Sequence, residues 1–128
     1  MKTVYLAGPI DFADATSPAA ALKQEAKNYL LKEGYWVFDP AEAWSAKQAA
    51  EQTPIVQDIN MDAIDKCDLV VAILVRGVLS IGTVLEIHHA SGMFPKKPTY
   101  IIGNIGKNSA ALAYLGVEVY NSITETGL

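Results

Sequence analysis

LVVAILV (69–75) is an unbroken apolar run. A strand with one wet face alternates apolar and polar residues, so a run with no polar break marks a strand covered on both faces, as in a parallel sheet. The segments flanking it read as helices. Upstream, the stretch after Pro54 sets Ile59, Ala63, Ile64 and Cys67 on one side at helical spacing. Downstream, SIGTVLEIHHA (80–90) repeats Ile81, Leu85 and His88 or His89 in the same way.

Further out the alternation continues. Thr3 to Ala7 is β-rich and exits at Gly8-Pro9, a strand running into a turn. Ser17-Pro18 reads as an N-cap with proline at the first helical position, Leu22, Ala26, Tyr29 and Leu30 form an apolar stripe, and Gly34 stops it. YWVFDP supplies a short strand ended by Asp39-Pro40, and residues 41–53 are helix-permissive but weakly patterned. PTYIIG, a short helix around Ser109 to Tyr114, and the strand GVEVY complete the chain. The order β-α-β-α-β-α-β-α-β predicts one domain over residues 1–128, an α/β doubly wound, flavodoxin-like or Rossmann-like sandwich of about five parallel strands. Ligands of such sheets lie beyond the carboxyl ends of the strands, near the switch in strand order, which directs attention to loops 8–17, 39–44, 75–82 and 103–109.

Bulk composition narrows the function. The 128 residues are 51% hydrophobic and 19% charged, within the globular range, and the formal charge of −4 provides no basic surface for a nucleic-acid polymer. A small nucleotide can still be held by backbone N–H groups. The apolar run TVYLAG is too short for a signal peptide or a membrane span. A single cysteine, Cys67, rules out an intrachain disulfide framework and points to a reducing cytoplasm.

Several residues have both a structural and a chemical reading. Glu86 closes a Thr-x-x-Glu capping box if its helix begins at Thr83; if the helix begins nearer Ser80, the carboxylate lies in the second turn and capping fails. On local sequence alone capping is the simpler account, and a nucleophilic carboxylate at the mouth of a pocket is the alternative. The Gly8-Pro9-Ile10 turn permits close backbone approach to a ligand or is an ordinary strand exit. Asp39 is by default a strand-end turn former, and Asn60 and Asp62 read most simply as solvent-facing residues of their helix. Neither Gly-x-Gly-x-x-Gly nor a P-loop lysine motif is present. His88 and His89 are adjacent and cannot share a metal on one helix face, and Cys67 lies on an apolar stripe as a core residue, so neither a metal nor a cofactor is expected.

YLAGPI (5–10), INMDAIDKCDLVVAIL (59–74) and SIGTVLEIHHA (80–90), in this order and at these gaps, resemble the nucleoside 2-deoxyribosyltransferase family over roughly three-quarters of the chain. The resemblance implies that Glu86, in the Gly82-to-Glu86 element followed by Ala90, is a nucleophile toward the anomeric carbon of a nucleoside. A covalent glycosyl-enzyme then passes the sugar to a second base or to water. It implies further that Tyr5 orients Glu86, that Asp39 or a neighbouring polar group assists departure of the base, and that Gly8, Pro9, Ile10, Asn60, Ser80 and Gly82 line the sugar or phosphate subsite. Family members are homo-oligomers with shared active sites, which makes Asn108 and Ser109 candidates for contribution to a neighbouring pocket.

The chain departs from the transferase pattern at Ser80 and Asn60, where transferases carry aspartates. Serine there is similar to the branch of nucleoside 5′-monophosphate N-glycosidases, but Asp11 stands where that branch favours an arginine and would repel phosphate. The expected activity is therefore cleavage or transfer of the N-glycosidic bond of a (deoxy)nucleoside or its 5′-monophosphate. A catalytically inactive nucleotide-binding sensor on the same fold is the alternative.

Overall fold

The computed structural model describes residues 1–9, 17–43, 51, 53–78, 80–105 and 109–128. Five parallel strands, β1 (Thr3–Ala7), β2 (Trp36–Phe38), β3 (Leu69–Leu74), β4 (Thr99–Gly103) and β5 (Glu118–Tyr120), form one sheet in the order β2-β1-β3-β4-β5. The helices are α1 (Pro18–Lys32), α2 (Pro40–Ala43), α3 (Thr53–Lys66), α4 (Ile81–Gly92) and α5 (Ala110–Leu115), with a 3-10 turn at Ile123–Glu125. This is the doubly wound α/β architecture that the sequence order predicts.

Every residue of β3 is buried, and its side chains alternate between two cores. Leu69, Val71 and Ile73 join Val4 and Leu6 of β1 under α1 and the 3-10 turn. Val70, Ala72 and Leu74 join Tyr5 and Ala7 under α3, α4 and α5. The period of two thus survives inside the continuous apolar run, with both faces dry. The chain leaves β1 toward one layer and β3 toward the other, so the switch in strand order falls between these central strands.

The helix ends follow local chemistry. Ser17 Oγ accepts the Ala20 N–H at 3.1 Å and Pro18 opens α1; Ser109 Oγ accepts the Leu112 N–H at 3.3 Å, and Gly116 closes α5 at φ +74°. At the end of β4, Gly103 adopts φ +142°, and a Cβ there would stand 1.8 Å from the Leu74 carbonyl oxygen. Only glycine lets the two strand ends approach this closely.

Two helix faces differ from the sequence expectation. In α3 the buried row is Val56, Asn60, Ile64 and then Cys67, while Ile59 is exposed. In α4 the buried residues are Thr83, Glu86, Ile87, Ala90 and Ser91, and Ile81 and Leu85 are 65% and 49% exposed. Polar residues take inward positions on both helices and turn large apolar ones outward. None of the described helices is long and apolar enough to cross a membrane.

Candidate active site

Glu86 stands where α4 faces β1. The helix begins after Ser80, so Glu86 lies in its second turn, beyond the reach of a capping box. No first-turn amide bonds its carboxylate, and Ser80 Oγ pairs with Thr83 Oγ1 instead of capping the helix. Gly82, Glu86 and Ala90 recur every four residues and stack on one face, so the carboxylate has small neighbours above and below. Glu86 is only 4% exposed.

Across from it, Tyr5 projects from the middle of β1, its ring stacked on Phe38 of β2 with centroids 5.5 Å apart. The Tyr5 hydroxyl is buried and has no hydrogen-bond partner of ordinary geometry among the described residues, yet it lies close enough to Glu86 for each to alter the other's proton affinity. Burial pushes the Glu86 carboxyl up to about 7; Tyr5 and the Lys23 ammonium act in the opposite direction. Burial, and then the charge of Glu86, hold the Tyr5 phenol far above its ordinary value, so it keeps its proton.

Asp39, at the end of β2, makes the turn expected of a strand-end aspartate: its Oδ1 accepts the Ala41 N–H at 2.9 Å. The same oxygen lies 2.8 Å from Lys23 Nζ, and Oδ2 lies 3.7 Å from Lys27 Nζ, which also meets Glu42. Asp39 is thereby tied to α1; its charge acts on Tyr5, and its partner Lys23 acts on Glu86.

Gly8 and Pro9 follow β1, and the Lys23 stem runs against Gly8. Among the described residues, Asn60, 2% exposed, leaves its Oδ1 without a partner, as does the buried Gln57 Nε2 one turn earlier; Gln57 Oε1 is 3.8 Å from where a Gly82 side chain would begin. Ser109 is occupied as the cap of α5. Ile10 and Asn108 lie outside the described residues, as do Asp11 and most of the 41–53 segment.

The structure therefore brings Tyr5, Glu86 and, by way of Lys23, Asp39 and Gly8 together, with Asn60 and Gly82 on the α3–α4 side. Lys23 and Gln57 are polar members of this site that the motif reading passes over. Lys23 was detectable, since Ala19, Lys23, Ala26 and Leu30 share one helical row whose other members are fully buried. Cys67 is buried in the core, and burial raises its thiol. His89 pairs with Asp65 at 2.7 Å; among the described residues no group of three His, Cys, Asp or Glu side chains could hold a metal.

A buried carboxylate and a protonated phenol at the switch point of a doubly wound sheet give this α/β protein a compact, polar candidate site. The chain belongs to the nucleoside 2-deoxyribosyltransferase family, whose model matches residues 4–113. That membership places it among enzymes of glycosyl transfer or cleavage.

The fold is similar to that of the 2-deoxyribosyltransferase of Bacillus psychrosaccharolyticus (TM-score 0.74, 19% identity, 96% of this chain and 88% of that one). It is also similar to the 2-deoxyribosyltransferase of Leishmania mexicana (TM-score 0.60, 19% identity, 96% and 77%). A CMP N-glycosidase of Clostridium botulinum aligns with TM-score 0.57 and 25% identity over 97% of this chain and 93% of that one. No curated protein gives a significant match.

Proposed function

We propose that this protein cleaves or exchanges the N-glycosidic bond of a (deoxy)nucleoside or nucleoside 5′-monophosphate, with Glu86 as nucleophile. One observation carries the reading: Glu86 is a nearly fully buried carboxylate, free of any capping bond, facing a phenol that keeps its proton. A Glu86 oxygen bonds to the anomeric carbon as the carbon–nitrogen bond breaks, and the electron pair leaves with the base, which takes up a proton. Water, giving up a proton, or the nitrogen of a second base then attacks the same carbon and releases the carboxylate. Tyr5 orients the carboxylate, and Asp39 acts through Lys23.

Gly8, Pro9 and Ile10, with Asn60, Ser80 and Gly82, line the sugar or phosphate subsite in this reading. Asn60 Oδ1, unpartnered among the described residues, supports it, since a buried acceptor left open in this way is suited to a polar ligand. The protein works as a homo-oligomer, dimer or larger, in which Asn108 and Ser109 complete a neighbour's pocket. The outward-turned Ile55, Ile59, Ile81, Val84 and Leu85 on α3 and α4 support this assembly.

Intact-protein mass spectrometry after incubation with a 2-fluoro-2-deoxy nucleoside or its monophosphate tests the mechanism. A sugar adduct on Glu86 is expected, and its absence with tight nucleotide binding would favour a non-catalytic sensor. Adding an acceptor base to the ordinary reaction separates transfer from hydrolysis.

A further inference from the structure

Lys23 belongs to α1, on the opposite layer of the sheet from the helix that carries Glu86. Its buried row mates, Ala19, Ala26 and Leu30, pack under β1 and β3. A lysine in such a row must carry its charge to a polar place or lose it. The stem solves this by running along the carboxyl end of β1. Its Cδ lies 3.3 Å from where a Gly8 Cβ would be, and Ile73 of β3 closes the other side at 3.6 Å. Glycine at position 8 opens the slot, and any side chain there would narrow it.

The ammonium at the end of this path is buried. It lies 2.8 Å from Asp39 Oδ1, but among the described residues no oxygen meets its donors at hydrogen-bonding angles, so the ion pair does not use up its capacity. Asp39 is itself fixed by the Ala41 amide. Among the described residues, Lys23 also acts on the Glu86 carboxylate and favours its charged form.

We propose that Lys23 is a positioning residue for the Glu86 carboxylate, threaded past Gly8 from the opposite layer so that one buried ammonium serves both Asp39 and Glu86. The inference rests on the reading of Glu86 as nucleophile. It adds a division of labour: Asp39 holds Lys23, and Lys23 offsets the desolvation of Glu86. Of the titratable groups on the surrounding elements, Tyr5 and Lys23 act on Glu86, and Asp39 and Cys67 act on Tyr5. On α3, Asp62 and Asp65 turn to Lys66 and His89, while His88 of α4 is exposed.

The test is the titration of the Glu86 carboxyl followed by 13C NMR in protein labelled on glutamate, with the signal assigned from Glu86→Gln. In Lys23→Met the midpoint should move up by about one pH unit, as expected for loss of a nearby opposite charge. Lys23→Arg should restore most of it. Asp39→Asn should move it down, because Lys23 then has a single carboxylate to serve; a purely structural role for Asp39 gives no such sign.

Should Lys23→Met fail to fold with Asp39 left unpaired, the double variant Lys23→Met/Asp39→Asn removes both charges. Its midpoint should lie above that of Asp39→Asn alone. Midpoints that do not respond to Lys23 overturn the proposal. The 2-fluoro-2-deoxy adduct is a separate readout: a Lys23-dependent midpoint without an adduct upholds the coupling and ends the nucleophile reading. An adduct with an unresponsive midpoint does the reverse.

Discussion

The hydroxyl of Tyr5 and the carboxylate of Glu86 meet inside the protein from elements far apart in sequence, β1 and the second turn of α4, and among the described residues the hydroxyl has no partner of ordinary hydrogen-bonding geometry. A buried phenol with no other partner is poised to donate to the carboxylate. Tyr5→Phe removes an atom that has no other bond among the described residues, so the folded state should lose little stability or gain some. A hydrogen bond to a charged group contributes about 1.5–3 kcal/mol, so kcat should fall roughly ten- to a hundredfold. Denaturant unfolding beside steady-state kinetics checks both halves. A variant that is strongly destabilised and equally impaired would show that Tyr5 serves the core alone.

Glu86→Gln should abolish turnover and stabilise the protein in a pH-dependent way. The carboxyl is raised from its ordinary 4.5 to about 7, chiefly by burial. A group whose folded value lies above its unfolded one contributes stability that is present below the unfolded value and lost as pH rises through the folded one. The displacement corresponds to roughly 3 kcal/mol. Glutamine, uncharged at every pH, should therefore gain up to about that much over the parent near pH 8, and the gap should close toward about pH 4. Urea unfolding of both proteins across this range measures the difference. A pH-independent gap would mean that Glu86 is not desolvated in solution.

Much of the fold is legible in the sequence. The apolar run at 69–75 fixes a doubly covered strand, and the alternation around it leaves few topologies. What the pattern misassigned were helix faces. Periodicity arguments send apolar residues inward, and in α3 and α4 the inward row is interrupted by Asn60 and by Glu86, while Ile59, Ile81 and Leu85 face out. The same interruption, Lys23 among Ala19, Ala26 and Leu30, was open to view on α1. A polar residue in a buried row is costly unless something meets it, so such breaks mark a functional site more directly than the apolar rows mark the core. Pairing across elements, such as Lys23 with Asp39, depends on the strand order and is invisible in one dimension.

The outward apolar residues yield a third prediction. Ile81, Val84 and Leu85 on α4 and Ile55 and Ile59 on α3 are all exposed. If a second copy covers them, the double variant Ile81→Lys/Leu85→Lys should sediment as a monomer while keeping its far-ultraviolet circular dichroism. Unchanged sedimentation would remove these helices from the interface.

Gly103→Ala tests the closure of the sheet beyond the site. The residue sits at φ +142°, where side-chain-bearing residues are strained, and its Cβ would overlap the Leu74 carbonyl at 1.8 Å. Backbone cannot yield as a flexible side chain can, so the β3–β4 end must separate. A loss of roughly 3 kcal/mol or more is expected, combining strain and overpacking. Unfolding midpoints decide it, and a loss well below that would mean the strand ends relax apart easily.

The activity itself should depend on pH through Glu86. Attack on the anomeric carbon needs the carboxylate, and an ordinary glutamate would supply it down to about pH 4. Because burial raises this one to about 7, the carboxylate population already falls at neutral pH. The kcat/KM profile should therefore bend near pH 7 and drop about tenfold per pH unit below it, reporting the free enzyme. Tyr5 keeps its proton throughout and contributes no second bend in this range. Tyr5→Phe should shift the bend upward, since the hydroxyl favours the charged carboxylate. A profile flat to about pH 5 would show that the acidic limb does not belong to a desolvated carboxylate, and Glu86 would lose its place at the centre of the mechanism.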